Sequence, residues 1–539
     1  LIKRDRDKEG QIMISLLLFY VLLSAMVCPL QSLSEPVWPI LTEEISPKYW
    51  EQQAREGFAT AKKTLPEMAE GAKKAKNVIL FLGDGMGLPT VSAGRFFADE
   101  KAHTGKPVKF SFEDWDFNTV ARTYDLETMV TDSASTKTRT GMLGLTGAIK
   151  VKECVAYSDS VKTISVLESA AKAGKATGIV TNARVTHASP AGAFGHSAFR
   201  DWESDSDIVR DGKKSSDCMD LAQQLALRNF DINVILGGGQ KKFYPKEYAL
   251  PIDSSIKGER SDGKVLPSLW LKAQKEKGRK AKYAGTRDEF KSINTKQTDY
   301  LLGLLAASHL PYVLDRQTGE PSLTDLTTKA IEILQHNPKG FFLFVEGGRI
   351  DHAHHANKAK QALVELLEMK EAIEKAVSMV NLEETLIILT ADHSHAFELV
   401  GQPSRFESLL LRDKGYGPQV KDNKSMLPLF YMNGPGAKIN ENRANLSEIP
   451  DETLQNKDFV QQALVPLPWA THGGDDVGVY AIGPFSWMFH RTVDNTFIAQ
   501  VMKYALCLEP YASEIHCNTI GQQPSLCVIL AFLLLVFRS

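Results

Sequence analysis

F-F-L-F-V-E-G-G-R-I-D-H-A-H-H, residues 341–355, reads as a strand, a turn and a ligand-rich segment in immediate succession. The apolar run 341–345 has no polar face, which is the pattern of a strand covered on both sides. If the chain turns helical after Gly348, Asp351 and His355 stand four residues apart and share one helix face. Carboxylate beside imidazole is a donor set suited to Zn²⁺. Glu346, on the strand side, is a harder oxygen donor better matched to Mg²⁺. The competing reading is a solvated histidine-rich loop, but such loops rarely follow so apolar a strand.

Working outward, residues 78–82, 178–181, 234–236 and 385–389 repeat the doubly covered strand pattern. Amphipathic helical patterns alternate with them. In residues 360–380, for example, Leu363, Leu366, Leu367, Ile373, Val377 and Val380 fall on one face. Strands alternating with helices predict an α/β, three-layer sandwich around a central, largely parallel sheet. Ligand sites of open α/β sheets lie at the carboxyl ends of their strands. Asp84 follows the first strand, His187 and Ser189 the second, Glu346 and Asp351 the fourth, and Asp392 and His393 the fifth. Four separated segments should therefore converge on one sheet edge. Residues 401–470 lose this rhythm and read as an inserted surface subdomain, with a return to the core at Thr471.

The chain has 539 residues, 43% hydrophobic and 24% charged, which is ordinary for a globular protein. A net charge of −2 lacks the basic field of a nucleic-acid binder. No internal repeat is visible, which excludes solenoids and propellers.

Both ends carry targeting signals. Residues 1–12 read as upstream sequence before Met13, and the apolar run 14–27 precedes Ser32 and Ser34, which suit a signal-peptidase site. Residues 13–34 are thus expected to be a signal peptide. The alternative, a membrane span, needs about 20 apolar residues. At the other end a polar spacer precedes the apolar run 526–537, the order of a GPI-anchor signal. Residues 519–539 would be removed, with attachment at Asn518 or at Ser513. Cys28 and Cys527 fall in the discarded ends. Cys154, Cys218, Cys507 and Cys517 remain, an even number that suggests two disulfides over buried free thiols. Asn423 and Asn445 stand in glycosylation sequons.

Individually the remaining site residues are ambiguous. Asp84, in F-L-G-D-G-M-G, lies between glycines that permit a sharp turn and close metal approach, yet it could simply cap a helix. Ser133, in T-D-S-A-S-T, could place a nucleophilic oxygen beside anion-binding N–H groups, yet a serine there is more often a plain N-cap. Asp392 and His393, in T-A-D-H-S-H, repeat the carboxylate–imidazole pairing. His472, in T-H-G-G-D-D, is alone and by itself more often structural.

Taken together, F-L-G-D-G-M-G, D-S-A-S-T, H-A-S-P-A-G with R-D-W-E-S-D-S-D, F-V-E-G-G-R-I-D-H-A-H-H, A-D-H-S-H and T-H-G-G occur in the order found in the alkaline phosphatase family. The chain resembles the animal, GPI-anchored form of that family over about residues 47–517. The resemblance implies a homodimeric phosphomonoesterase anchored at the extracellular face of the cell membrane, with Ser133 as nucleophile and two zinc ions and one magnesium ion. By motif, Asp351, His355 and His472 would hold one zinc, and Asp84, Asp392 and His393 the other. Asp84 would also bridge to magnesium, completed by Ser189 and Glu346. His187 and His352 take positions around these ligands, Arg200 matches the arginine that grips phosphate, and the disulfides would pair Cys154 with Cys218 and Cys507 with Cys517.

The resemblance is uneven. After D-S-A-S the chain reads T-K-T-R-T-G-M-L-G where relatives have A-Y-L-C-G, and Leu467, Pro468, Trp469 and Ala470 replace an acidic stretch before His472. E-L-V-G-Q-P replaces the glycine-tyrosine element after A-D-H-S-H-A-F, against a cross-subunit tyrosine contact. The family's Phe-Glu pair at a calcium site reads Leu305-Ala306, with Glu320 and Glu247 as the acids that could stand in, so the expectation is against bound Ca²⁺. A phosphodiesterase or sulfatase of the wider superfamily would carry threonine or a modified cysteine as nucleophile. An inactive anchored binding protein would be expected to lack a ligand, and no ligand position is missing.

Overall fold

The computed structural model describes residues 43, 46–100, 104, 106–124, 129–131, 164–197, 199–216, 218–228, 231–414, 421–439 and 442–517. Ser133, Cys154, Asn518, the signal-peptide segment and the terminal tail lie outside the described residues.

The apolar runs form the centre of a ten-stranded sheet. Strands β1 (Asn77–Gly83), β3 (Ala176–Arg184), β4 (Val234–Gly238), β7 (Phe341–Gly347) and β8 (Thr385–Thr390) are buried almost throughout. With β2 (Phe117–Arg122), β5 (Ala281–Ala284), β6 (Tyr300–Leu304), β14 (Val477–Ile482) and β15 (Val493–Asp494), the order is β15-β2-β14-β8-β1-β7-β3-β4-β6-β5. The run from β8 to β5 is parallel throughout. Only β14 runs against its neighbours β8 and β2. The largely parallel sheet expected from the doubly apolar strands is thus present. Each fully buried Val, Leu, Ile or Phe contributes about 1.5–3 kcal/mol, which holds this layer between its helices.

Helices cover the sheet. The first, α1 (Pro47–Thr64), meets α6 (Asn495–Ala505) through Phe58, whose ring lies 5.3 Å from Phe497 and 4.6 Å from Tyr504. Between them in the chain are α2 (Leu88–Ala98), α3 (Leu323–Leu334), α4 (Arg349–His355) and α5 (Ala359–Met379). On α5, Leu363, Leu366 and Ile373 are buried, whereas Leu367 and Val377 are only partly so, and Val380 lies just beyond the helix end. Met369, Ala372 and Ala376 complete its buried face.

Within residues 397–466 a separate three-stranded sheet forms from β10 (Phe397–Leu399), β11 (Leu429–Gly434) and β12 (Ala463–Pro466), with β12 at an edge. Its own small core includes Phe397, Leu429 and Tyr431, packed with Leu363 of α5. Two short segments, β9 (Ser394–His395) and β13 (His472–Gly473), pair antiparallel and set His472 opposite His395. Among the described residues no helix is long and apolar enough to cross a membrane.

Candidate active site

Strands β8, β1, β7 and β3 are consecutive in the sheet, so their carboxyl ends form one continuous edge. Register places Leu82 of β1 beside both Glu346 of β7 and Thr390 of β8, and Glu346 beside Thr181 of β3. Asp84, Glu346, Asp392 and the segment 185–189 are delivered to that edge. Helix α4 adds Asp351 and His355, four residues apart on one face as its sequence predicts. Gly85 makes the turn after Asp84 with φ +65°, and a Cβ there would lie 3.1 Å from the Asp351 Cβ. The glycine after Asp84 is therefore needed both for its backbone conformation and for the close approach of α4.

Asp351 is the hub. His355 Nε2 lies 3.2 Å from its Oδ2, while His395 Nε2 and His472 Nε2 lie 3.2 and 3.5 Å from its Oδ1. His472 Nε2 and His355 Nε2 are 3.2 Å apart. Beside this group, His393 Nε2 lies 3.6 Å from Asp84 Oδ1 and 3.5 Å from Asp392 Oδ2, and its ring stacks on His472 at 3.7 Å. Ligand atoms of Asp351, His355, His395 and His472 all fall within 4.8 Å of one another, as do those of Asp84, Asp351 and His393.

Hydrogen bonds on the opposite ring nitrogens separate ligands from supports. His355 Nδ1 donates to the Ala470 carbonyl at 2.5 Å, and His393 Nδ1 to the Ser394 carbonyl at 2.9 Å. Both rings therefore turn an Nε2 lone pair toward the carboxylates, the tautomer that a metal needs. His395 is reversed: the Ala396 N–H donates to its Nδ1 at 3.2 Å, so Nε2 carries the proton and faces Asp351. His395 can orient Asp351 but cannot ligate in this tautomer.

The carboxylates are deeply buried: Asp84, Glu346, Asp351 and Asp392 are each at most 4% exposed. Burial, reinforced by Asp392 and Asp351, pushes Asp84 well above the usual carboxylate range. Burial with the same two neighbours pushes Glu346 up to about 8, although Thr181 donates a short hydrogen bond to it. Burial raises Asp392 too. Asp351 resists the same burial and stays well below the usual range because His355, His395 and His472 surround it. Burial and His393 hold His472 down to about 2, neutral and able to donate a lone pair. Arg200 is close enough to pull Asp84 and Glu346 downward. Glu346 Oε1, Asp351 Oδ1, His393 Nε2 and His395 Nε2 are buried without a hydrogen-bond partner of good geometry. Unpaired buried carboxylate oxygens and ring lone pairs call for a cation.

Ser189 is fully buried and its Oγ lies 3.4 Å from Asp392 Oδ2. His187 and His352 approach each other at 5.1 Å between ring centres, and His309 joins them at 5.3 and 4.2 Å. Arg349 donates to His352 Nδ1 at 3.1 Å, which leaves the proton on Nε2 and makes this trio a poor metal cage. Ser133 lies outside the described residues, but the chain approaching it does not: Val130 stands against Gly474, where a Cβ would meet its Cγ2 at 3.1 Å.

Two positions escaped the sequence reading. His395 lies two residues beyond His393, so an extended backbone sends both rings to one side, a cue visible in A-D-H-S-H. His309, after β6, carried no motif at all. Glu320 accepts from Arg287 Nη2 at 2.5 Å, and Leu305 and Ala306 are buried. Cys507 and Cys517 form a disulfide; Cys218 is also disulfide-bonded. Asn423 is exposed, Asn445 is half-buried, and Ser513 is exposed.

A family model described as alkaline phosphatase matches residues 75–508. The chain belongs to the alkaline phosphatase family. It is a phosphoric monoester hydrolase of a metal-dependent family. The tissue-nonspecific isozyme of alkaline phosphatase from Rattus norvegicus is 40% identical over 493 residues, covering 88% of this chain and 91% of that protein. The isozyme from Homo sapiens is 38% identical over 500 residues, with 90% and 93% covered. Alkaline phosphatase from Gadus morhua is 38% identical over 481 residues, with 86% and 98% covered. Among solved structures, Thermus thermophilus alkaline phosphatase superposes with a TM-score of 0.55 at 23% identity, covering 80% of this chain and 91% of that one. The alkaline phosphatase fold is thus shared beyond close sequence similarity.

Proposed function

We propose that the enzyme transfers the phosphoryl group of monoesters to Ser133 and then to water, in a site built for two zinc ions and one magnesium ion. The observation that carries this reading is the set of four buried carboxylates on one sheet edge, among which Asp351 meets His355 and His472, and Asp84 meets His393, within metal-ligand reach. Asp351, His355 and His472 would hold one zinc, and Asp84, Asp392 and His393 the second. Asp84 with Ser189 and Glu346 would hold magnesium. When bound, such ions supply Lewis acidity to the entering and leaving oxygens and lower the pKa of water.

The protein's own groups do the rest. Ser133 Oγ attacks phosphorus as the ester P–O bond breaks and the alcohol leaves with a proton, and water then cleaves the phosphoserine to free Ser133 and inorganic phosphate. Arg200 grips two phosphoryl oxygens with its planar fork and offsets the charge that develops on them. His395 holds Asp351 in place, and the Ala470 and Ser394 carbonyls fix the tautomers of His355 and His393. His187 and His352 flank this group, kept neutral by burial.

The rest of the reading concerns setting. Residues 13–34 are proposed as a signal peptide, with the mature protein held by a GPI anchor at Asn518 or Ser513 on the outer cell surface. Residues 401–470 form an inserted subdomain of a homodimer, Cys154 pairs with Cys218, and Asn423 and Asn445 are glycosylation sites. No calcium ion is included, since Glu320 is occupied by Arg287.

Assay of purified protein on an aryl phosphate, with and without chelator, tests the reading. Metal-dependent monoester turnover that collapses in Ser133→Ala is expected. Preference for diesters, or full activity in Ser133→Ala, overturns it.

A further inference from the structure

Helix α4 is seven residues long, too short to hold its own ends in water, yet it carries Asp351 and His355. Its ends therefore depend on what they are tied to. At the amino end, the Arg349 N–H donates to Asn182 Oδ1 at 3.2 Å. At the carboxyl end the chain closes in a Schellman turn. The Lys358 N–H donates to the Ala353 carbonyl at 2.9 Å, and the Asn357 N–H to the His354 carbonyl at 2.9 Å. Asn357 takes the left-handed position of that turn with φ +52°, a place usually held by glycine.

Glycine would serve the turn but could not make the contacts that Asn357 makes. The residue is fully buried; its Oδ1 accepts from the Gly436 N–H at 2.9 Å, and its Nδ2 donates to the Asn433 carbonyl at 3.3 Å. Its own carbonyl accepts from the Gln461 N–H at 2.8 Å. Asn433 lies on β11, Gly436 just after it and Gln461 just before β12, so one residue joins the end of α4 to two paired strands. The approach is close: a Cβ on Gly434 would lie 2.4 Å from Asn357 Oδ1. Beyond the other end of β12, the Ala470 N–H donates to the His355 carbonyl at 2.9 Å, and the Ala470 carbonyl accepts from His355 Nδ1 at 2.5 Å. The segments on either side of β12 thus hold Asn357 and His355 together.

We propose that Asn357 is a positioning residue for His355, locking the end of α4 to the three-stranded sheet so that the imidazole keeps its Nε2 beside Asp351. This rests on the reading of His355 as a zinc ligand given above. Without the Asn357 amide, the Gly436 N–H and the Asn433 carbonyl lose their partner inside the joint, and the end of α4 is free to shift against Ala470. Such a shift moves the His355 ring but leaves Arg200, the grip on the phosphoryl group, where it is. Zinc retention and kcat therefore fall together, and KM changes less.

The test uses the metal-loaded full-length enzyme and Asn357→Gly, which keeps the left-handed turn and removes only the amide. Chelator titration followed by zinc analysis should show retention weakened about 3- to 10-fold, less than the roughly 10- to 100-fold cost of losing a direct partner of the ligand. On an aryl phosphate kcat should fall to a similar extent, with KM within about 2-fold of the wild type's. Leu454→Ala is the control for general loosening, since Leu454 is buried with Leu427 and Leu446 in a separate cluster near the same sheet. It should lower Tm while zinc retention and kcat stay at wild-type values. A lowered Tm in Asn357→Gly with wild-type zinc retention and kcat overturns the assignment, as does an equal loss of zinc in both variants. A wild type that holds no zinc overturns the zinc reading, and this assignment with it.

Discussion

His395 Nε2 lies 3.2 Å from Asp351 Oδ1, while His355 Nε2 lies 3.2 Å from the other oxygen of the same carboxylate. One imidazole presents a proton and the other a lone pair, because their Nδ1 atoms meet a backbone N–H and a carbonyl respectively. Asp351 Oδ1 thereby faces the N–H of a residue that does not bind a metal in this tautomer, although the pair is off good hydrogen-bond geometry. His395→Ala should weaken metal retention by about 10- to 100-fold, the usual cost of removing such a support. Chelator titration with zinc quantified in the retained protein checks this; a half-point equal to the wild type's would show that Asp351 needs no support.

The doubly apolar strands and the Asp351–His355 pair were legible because period and spacing alone encode them. Strand β14, opposed to both its neighbours in the ten-stranded sheet, was not: V-G-V-Y-A-I carries no mark of direction. The small sheet of β10, β11 and β12 was hidden because its strands are short and lie within polar, proline- and glycine-containing sequence. His395 was overlooked for a different reason. A support is chemically the same residue as a ligand, and only the partner of its second nitrogen tells them apart.

Metal removal should expose the buried carboxylates as a pH liability. Burial raises Asp84 and pushes Glu346 up to about 8, so without metal Glu346 keeps its proton at pH 7 in the folded state where the unfolded chain has released it. Between pH 7 and 8 this group makes the metal-free protein less stable relative to the metal-loaded form as pH rises, by up to about 1.4 kcal/mol per pH unit. The buried neutral histidines act in the opposite direction, and their contribution fades from pH 7 to 8, above their ordinary pKa of about 6.5. Groups remote from the site, such as Glu365, are common to both forms and cancel. Scanning fluorimetry should show the gap in Tm between metal-loaded and chelated protein widening from pH 7 to 8; a constant gap would contradict it.

Gly85→Ala should damage the site more than the fold. The left-handed backbone costs a side chain about 1–2 kcal/mol, and the added Cβ would press on Asp351 at 3.1 Å. Displacing Asp351 by a fraction of an ångström should lower turnover roughly 10-fold or more. Gly263 provides the control, since it has φ +70° but nothing within 4 Å of a Cβ. Gly263→Ala should show the strain in its Tm with wild-type kcat. Equal activity in the two variants would mean that the approach to Asp351 is unimportant.

Arg260 tests the far end of the sheet. Its side chain is fully buried and binds Asp220 at 2.9 and 3.0 Å and Asp262 at 2.6 and 3.0 Å, with Asp205 at 3.5 Å. Asp220 and Asp205 are themselves buried, so Arg260→Met would leave negative charge with no adjacent guanidinium. Breaking a buried pair from one side costs about 3–5 kcal/mol, far more than an exposed ion pair contributes. Arg260→Lys should recover only part of this loss, because one ammonium cannot make two bidentate contacts. Urea unfolding followed by circular dichroism measures both variants. A cost below about 1 kcal/mol for Arg260→Met would mean that the aspartates take up protons or water instead, and that the arginine does not hold the segments of Asp205, Asp220 and Asp262 together.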